Sequence, residues 1–180
     1  MGLPRSIKWC PAIGSDIIVG DYVPEYGHSQ RALTMKASVL FLQNGKEYVM
    51  VVKIIGARTF SLQSYNKFSA KDTSGHGTHV VSIISGREVI DSSYYGIAKG
   101  IARGGVPSTR IAAYKVCYHI NCYDVDVLRA FDHAIADGVD IISVSIARPN
   151  RVVLTFDPIA IGAFHAMEKG ILTVNAAGNC

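Results

Sequence analysis

Between Arg110 and Ala176 the chain switches repeatedly between two hydrophobic periods, and that alternation restricts the fold more than any single residue does. Three runs are short, apolar and bounded by turn residues: RIAAYKVC (110–117), VDIISVS (139–145) and ILTVNA (171–176). That is the pattern of strands buried on both faces. Between them, DVDVLRAFDHAIAD (124–137) repeats at helical spacing. Val127, Leu128, Phe131, Ala134 and Ile135 form its apolar stripe, and Gly138 stops it. Asp157-Pro158 opens a second helix, with aspartate at the cap and proline at the first helical position. Ile161, Phe164, Ala166 and Met167 give that helix its apolar faces, and Lys169-Gly170 closes it. Strands alternating with helices predict right-handed βαβ crossovers and an α/β fold with a mostly parallel sheet.

In such sheets the loops at the carboxyl ends of strands hold the site. Two residues qualify by position. Asn179 follows the last strand after Ala177-Gly178, and Asp21 follows the apolar run Ser15–Gly20. For Asp21 a surface turn aspartate is the competing reading. Residues 37–43 and 47–55 are β-formers flanking Asn44-Gly45, which predicts a hairpin. Residues 91–108 read as a glycine-rich connection. A phosphate loop is rejected there, because the Gly-Lys-Ser/Thr ending and a feeding strand are both missing.

The chemistry points elsewhere, to DTSGHGTH (72–79). It sets His76 between two glycines, directly before the apolar run Val80–Ile84, with Gly86 as a stop. Glycine lets other groups approach the backbone closely. An imidazole at the start of a rigid helix suits a general base, whose best pKa lies near working pH. The alternative is a helix that opens with two ordinary histidines. His79 is read as a helix-packing residue. A metal site on His76 and His79 lacks an acidic third ligand, so no metal and no cofactor are expected.

Composition narrows the function classes. The 180 residues are 49% apolar, enough for a core. The 18 basic and 14 acidic residues leave a charge of +4, but the lysines and arginines are scattered, so no nucleic-acid partner is expected. No apolar run approaches the ~18 residues of a membrane span, and MGLPRSIKWC lacks an apolar signal segment. Four cysteines are too few for a disulfide scaffold and too irregular for a zinc site. Cys117 ends a strand, and the next residues can turn back to Cys122. A local disulfide and two buried free thiols both fit that spacing.

At this point the sequence resembles the subtilisin-type serine proteases, and most of all the plant cucumisin-like subtilases. The resemblance rests on KIIGAR (53–58), DTSGHGTH (72–79), ARGGVPSTRIAAYKVC (102–117), ADGVDIISVS (136–145) and AIGAFHAMEKGILTVNAAGN (160–179). It implies one partial peptidase domain over 1–180, divergent over 1–52 and well matched over 53–179. The implied fold is a three-layer α/β sandwich, incomplete in this chain. The implied activity is serine endopeptidase, acting on an extended polypeptide at an extracellular or cell-wall location. A propeptide or a second subtilase chain is the further partner it suggests.

His76 corresponds to the catalytic histidine and Asn179 to the oxyanion-hole asparagine. Ser143 and Ser145, with Ile146 and Ala147, correspond to the segment that pairs with substrate. Asp21 corresponds to the remnant of the catalytic aspartate, in a segment several residues shorter than the family's Asp-Thr-Gly-Ile-Trp-Pro-Glu type motif. After Ser145 this chain has Ile146-Ala147-Arg148 where the family has a small residue and a glycine pair, and Arg148 is expected to crowd the substrate channel. The family's serine sits in a Gly-Thr-Ser-Met-Ala type block after the asparagine, and none of these 180 residues forms one. The chain by itself is therefore expected to lack turnover. The competing readings are a non-catalytic peptide- or protein-binding pseudoprotease and a truncated product without function.

Overall fold

β7, the strand over Arg110–Lys115, is buried along its whole length after Arg110, and its alternation separates two cores. Ala112 and Tyr114, followed by Val116, face one side. They join Val127, Ala130, Phe131, Ala134, Ile142, Val144, Ile159 and Ala166. Ile111 and Ala113 face the other, against Val80, Val81 and Ile84. Successive side chains of a strand point to opposite faces, so a strand apolar at every position must be covered twice. This gives three layers: helices, sheet, helix.

The structure is a computed structural model that describes residues 17–22, 40–43, 46–49, 53–62, 69–118, 121–147 and 152–178, the first three segments as backbone only. In chain order the elements are β1 (Ile17–Tyr22), β2 (Leu40–Gln43), β3 (Lys46–Val49), β4 (Ile54–Thr59), α1 (His76–Ser85), β5 (Val89–Tyr94), β6 (Ile97–Ala102), β7, β8 (Cys117–Tyr118), β9 (Asn121–Cys122), α2 (Asp124–Asp137), β10 (Ile141–Val144), α3 (Pro158–Glu168) and β11 (Leu172–Asn175). A single 3-10 turn, Leu154–Phe156, precedes α3. The main sheet runs β11-β10-β1-β7-β4. β10 pairs with β11 and β4 with β7 in parallel, while β1 lies antiparallel to both β7 and β10. Four of the five strands therefore share one direction, the mostly parallel α/β sheet read from the sequence, with a reversed strand at its centre.

The helix limits follow the punctuation in the chain. α2 ends at Gly138 with φ +72°, a left-handed position that glycine adopts without a Cβ penalty. α3 starts where the Asp157 carboxylate accepts the Ile159 amide at 2.8 Å, with Pro158 just inside the helix. The two helices meet at Gly162. A Cβ built there falls 2.3 Å from the Phe131 ring, and Phe131 is 1% exposed. The last turn of α2 is tied to the sheet by Asp137. It accepts Arg58 of β4 at 2.8 and 3.0 Å and the Tyr114 hydroxyl at 2.9 Å. Burial, then the bond to Asp137, pushes the Tyr114 hydroxyl pKa up.

Among the described residues three two-stranded hairpins complete the fold. β2 and β3 pair with Gln43 opposite Lys46, as the Asn-Gly step requires; residues 44 and 45 themselves lie outside the described residues. The stretch read as a glycine-rich connection is a second hairpin, β5–β6, turning at Tyr95 and Gly96 with φ +50° and +86°. Both central residues at positive φ make the mirror-image turn that matches strand twist. This hairpin is exposed at nearly every position, so no burial pattern marked it in the sequence. Cys117 faces Cys122 across β8–β9 and the pair forms a disulfide with Cα atoms 4.3 Å apart. Cys10 and Cys180 lie outside the described residues.

Replacing Gly162 by alanine tests the α2–α3 contact. The added methyl overlaps a ring that has no free volume to enter, and overpacking of this kind costs ~1–3 kcal/mol. The expected result is a lower urea midpoint with an unchanged slope; an unaltered midpoint would show that the two helices are not in close contact at this point.

Candidate active site

α1 begins at His76, and its cap residue cannot cap it. Gly75 has no side chain and sits at φ +89°. The first amides of a helix need acceptors from outside. They find one in Asp72, which lies before a tight turn. Its Oδ1 accepts the Ser74 amide at 3.0 Å and the Gly75 amide at 2.9 Å. Its Oδ2 accepts the Thr78 amide and the Thr78 hydroxyl, both at 2.7 Å. One carboxylate thus folds the turn and plugs the positive end of the helix. Burial pushes the Asp72 pKa up, but the bonds from Thr78, Gly75 and Ser74 outweigh it and hold the carboxyl well below the usual range.

The same turn presents His76. Its imidazole is half-buried, and desolvation lowers its pKa. The Asp72 charge opposes that shift, while His79 adds to it, and the net direction is down. That direction favours the neutral, proton-accepting form of the ring. His76 Nε2 lies 3.4 Å from Ser145 Oγ, long for a hydrogen bond and close enough to define a shared site.

Ser145 belongs to the other half of that site. It leaves β10 after Val144 and is followed by the buried Ile146 and the half-buried Ala147. Ser143 is inside β10, opposite Val174 on one side and Val19 on the other. The chain leaving β11 runs alongside. The Ala176 amide donates to Val144 at 3.0 Å, and Gly178, at φ +92°, comes so close that a Cβ there would lie 2.9 Å from the Ala147 Cβ. So His76, Ser145, Ile146, Ala147 and the 176–178 segment gather at one edge of the sheet, where β10 and β11 end. Asn179 and Arg148 fall outside the described residues.

Asp21 does not join them. The register sets its backbone opposite Ile111 and Ile141, at the starts of β7 and β10. Ser145 follows the end of β10, four residues on, or about 13 Å at the usual rise per residue. Because β1 runs against its neighbours, its carboxyl end is their amino end, and that reversal carries Asp21 away from His76. Among the described side chains the acidic group acting on His76 is Asp72, a residue of the same DTSGHGTH motif for which no task was expected. Its position two residues before a Ser-Gly step was the available signal, since aspartate commonly bonds the amide two residues on. His79 is exposed on α1. Among the described residues no group of three or more His, Cys, Asp or Glu side chains is arranged to hold a metal.

Residues 59–180 match the Subtilase family. That is two-thirds of the chain, and it takes in both halves of the site. The chain belongs to the subtilase family. The subtilisin-like proteases SBT4.4 and SBT4.13 of Arabidopsis thaliana are 54% and 51% identical to it over 99% of its length. Arabidopsis SBT4.15 is 56% identical over 71% of it. The chain spans about a quarter of the length of the first two of these relatives. For this subtilase, then, the α/β fold and the family are established together.

Asp72→Asn tests the cap. Loss of an N-terminal cap costs ~1 kcal/mol, so the variant's urea midpoint at pH 6–7 should fall. Asp72 has a depressed pKa in the folded chain, so its contribution is present above the unfolded carboxyl pKa and is lost as pH falls through the folded value. The gap between wild type and variant should therefore narrow on acidification. A gap that is constant from pH 7 to pH 3 would show that the Asp72 charge is not what holds the turn.

Proposed function

We propose that this chain carries the base and the peptide-binding segment of a subtilisin-type serine endopeptidase. The carrying observation is the placement of the His76 imidazole, its pKa lowered by desolvation, 3.4 Å from Ser145, at the root of the segment Ser145–Ala147. In this reading His76 takes the proton of an attacking serine hydroxyl and returns it to the leaving amine. An extended polypeptide lies along Ser145–Ala147, beyond the end of β10, as an added strand, where main-chain bonds give affinity; Ser143, expected to take part, is already paired to strands on both sides. Asn179, directly after the Gly178 turn, donates its amide to the developing oxyanion. The serine itself comes from a Gly-Thr-Ser-Met-Ala type block, which these 180 residues do not contain. An extracellular or cell-wall location, and a propeptide as a partner, belong to the same reading. No helix among the described residues is long and apolar enough to cross a membrane.

A second reading, a binding module without turnover, draws on the open edge of the main sheet. Among the described residues β11 is the last strand of that sheet, and its Leu172 and Val174 are exposed, as are Phe164 and Met167 on α3. An edge of this kind accepts another strand, from a peptide or from a second subtilase chain.

Adding an extended peptide to isotope-labelled chain separates the readings. Under the proposal the amides of residues 145–147 shift saturably, no peptide bond is cleaved above the His76→Ala background, and a fluorophosphonate probe does not label the chain. Shifts confined to β11 favour the binding-module reading. Stoichiometric labelling of any serine, abolished in His76→Ala, would overturn the assignment of Ser145 to substrate binding.

A further inference from the structure

Lys115 is a buried charge for which the peptidase reading has no task. It ends β7 on the face turned toward α1 and is 2% exposed. Burial disfavours an ammonium strongly unless something receives its protons. Here Nζ donates to the Lys71 carbonyl at 2.6 Å and lies 4.9 Å from the centre of the Tyr118 ring. Desolvation lowers the Lys115 pKa, and the Asp72 charge raises it. An apolar side chain could fill this position in the core, but it could not satisfy the Lys71 carbonyl.

The carbonyl it holds is next to the group on which α1 depends. Lys71 is bonded to Asp72, whose carboxylate takes the amides of Ser74, Gly75 and Thr78, and His76 is the first residue of the helix so capped. The route from the middle of the sheet to the imidazole is therefore continuous: ammonium, carbonyl, carboxylate, helix start. Asp72 and His79 act on the ring from its own turn and helix, Ser145 meets it from β10, and Lys115 secures the turn from β7.

We propose that Lys115 is a positioning residue for His76: its ammonium fixes the Lys71–Asp72 corner from which the imidazole is held against Ser145. It touches neither substrate nor the reacting atoms and acts through Asp72. The importance of that task rests on the reading of His76 as the general base, while the geometry it describes can be measured without any substrate.

The test is an NMR titration of the histidine rings in the 180-residue chain, in wild type, Lys115→Met, Lys115→Arg and Gly162→Ala. Methionine keeps the unbranched stem and removes the donor. With the corner released, His76 gains solvent, and its midpoint should rise toward the free-histidine value of about 6.5. Arginine restores a donor and a charge, and its midpoint should return toward wild type. Gly162→Ala, which strains α2 against α3, should lower stability and leave the His76 midpoint in place, separating local positioning from general loosening. A wild-type midpoint in Lys115→Met, or an equal rise in Gly162→Ala, overturns the proposal. If Lys115→Met does not fold, the wild-type chain still decides: a scalar coupling from the Lys115 ammonium nitrogen to the Lys71 carbonyl carbon is expected, and its absence from the folded chain overturns the proposal. Failure of peptide binding leaves these outcomes unchanged, so the two readings fail separately.

Discussion

The site depends on how the carboxylate of Asp72 spends its two oxygens. A helix that starts on two glycines has poor intrinsic order at its first turn, since glycine loses more backbone freedom than any other residue. Yet the histidine has to stand there, where neighbouring backbone can come close. Asp72 resolves the conflict from outside the helix. It gathers three amides and one hydroxyl within seven residues of chain and places a negative charge at the positive end of α1. The same charge pushes against the desolvation of His76, which still prevails and lowers the pKa of the ring.

β7 carries that turn and the other half of the molecule at once. On one face, Tyr114 reaches the carboxylate of Asp137 and so ties α2 to the sheet, with Arg58 of β4 as the second donor. On the other face, Ile111 and Ala113 receive α1, and Lys115 extends beyond them to the Lys71 carbonyl. The parallel pair β10–β11 then delivers Ser145 and the Gly178 turn to the same edge. A rigid, doubly covered strand is a good foundation for a site, because groups on loops are only as well placed as the elements beneath them.

Much of this was legible because burial leaves periodic traces. The helix over 124–137 appeared with its limits intact, since Val127, Phe131 and Ala134 recur at helical spacing and Gly138 has to be left-handed. The Asp157-Pro158 start and the Asn44-Gly45 hairpin were legible from turn chemistry alone. The β5–β6 hairpin was not, because its exposed residues, among them Ile90, Tyr94 and Ile97, follow no buried face. The direction of β1 was also hidden: Ile17–Val19 reads the same in either orientation, and only pairing with Ile141 and Ile111 reveals that Asp21 lies at the far end. Lys115 was invisible for a different reason. A lysine in an apolar strand reads as an edge or an exception, and the carbonyl it serves is 44 residues away.

The central claim is that this cap and this strand hold His76 against Ser145 within the 180 residues themselves. The most direct measurement is a nuclear Overhauser contact between the His76 Hε1 proton and the Ser145 Hβ protons in the isolated chain at neutral pH. The account predicts a contact in wild type that weakens or disappears when Asp72 is replaced by asparagine. A folded wild-type chain without that contact, or one whose contact is indifferent to the loss of the Asp72 charge, would contradict it.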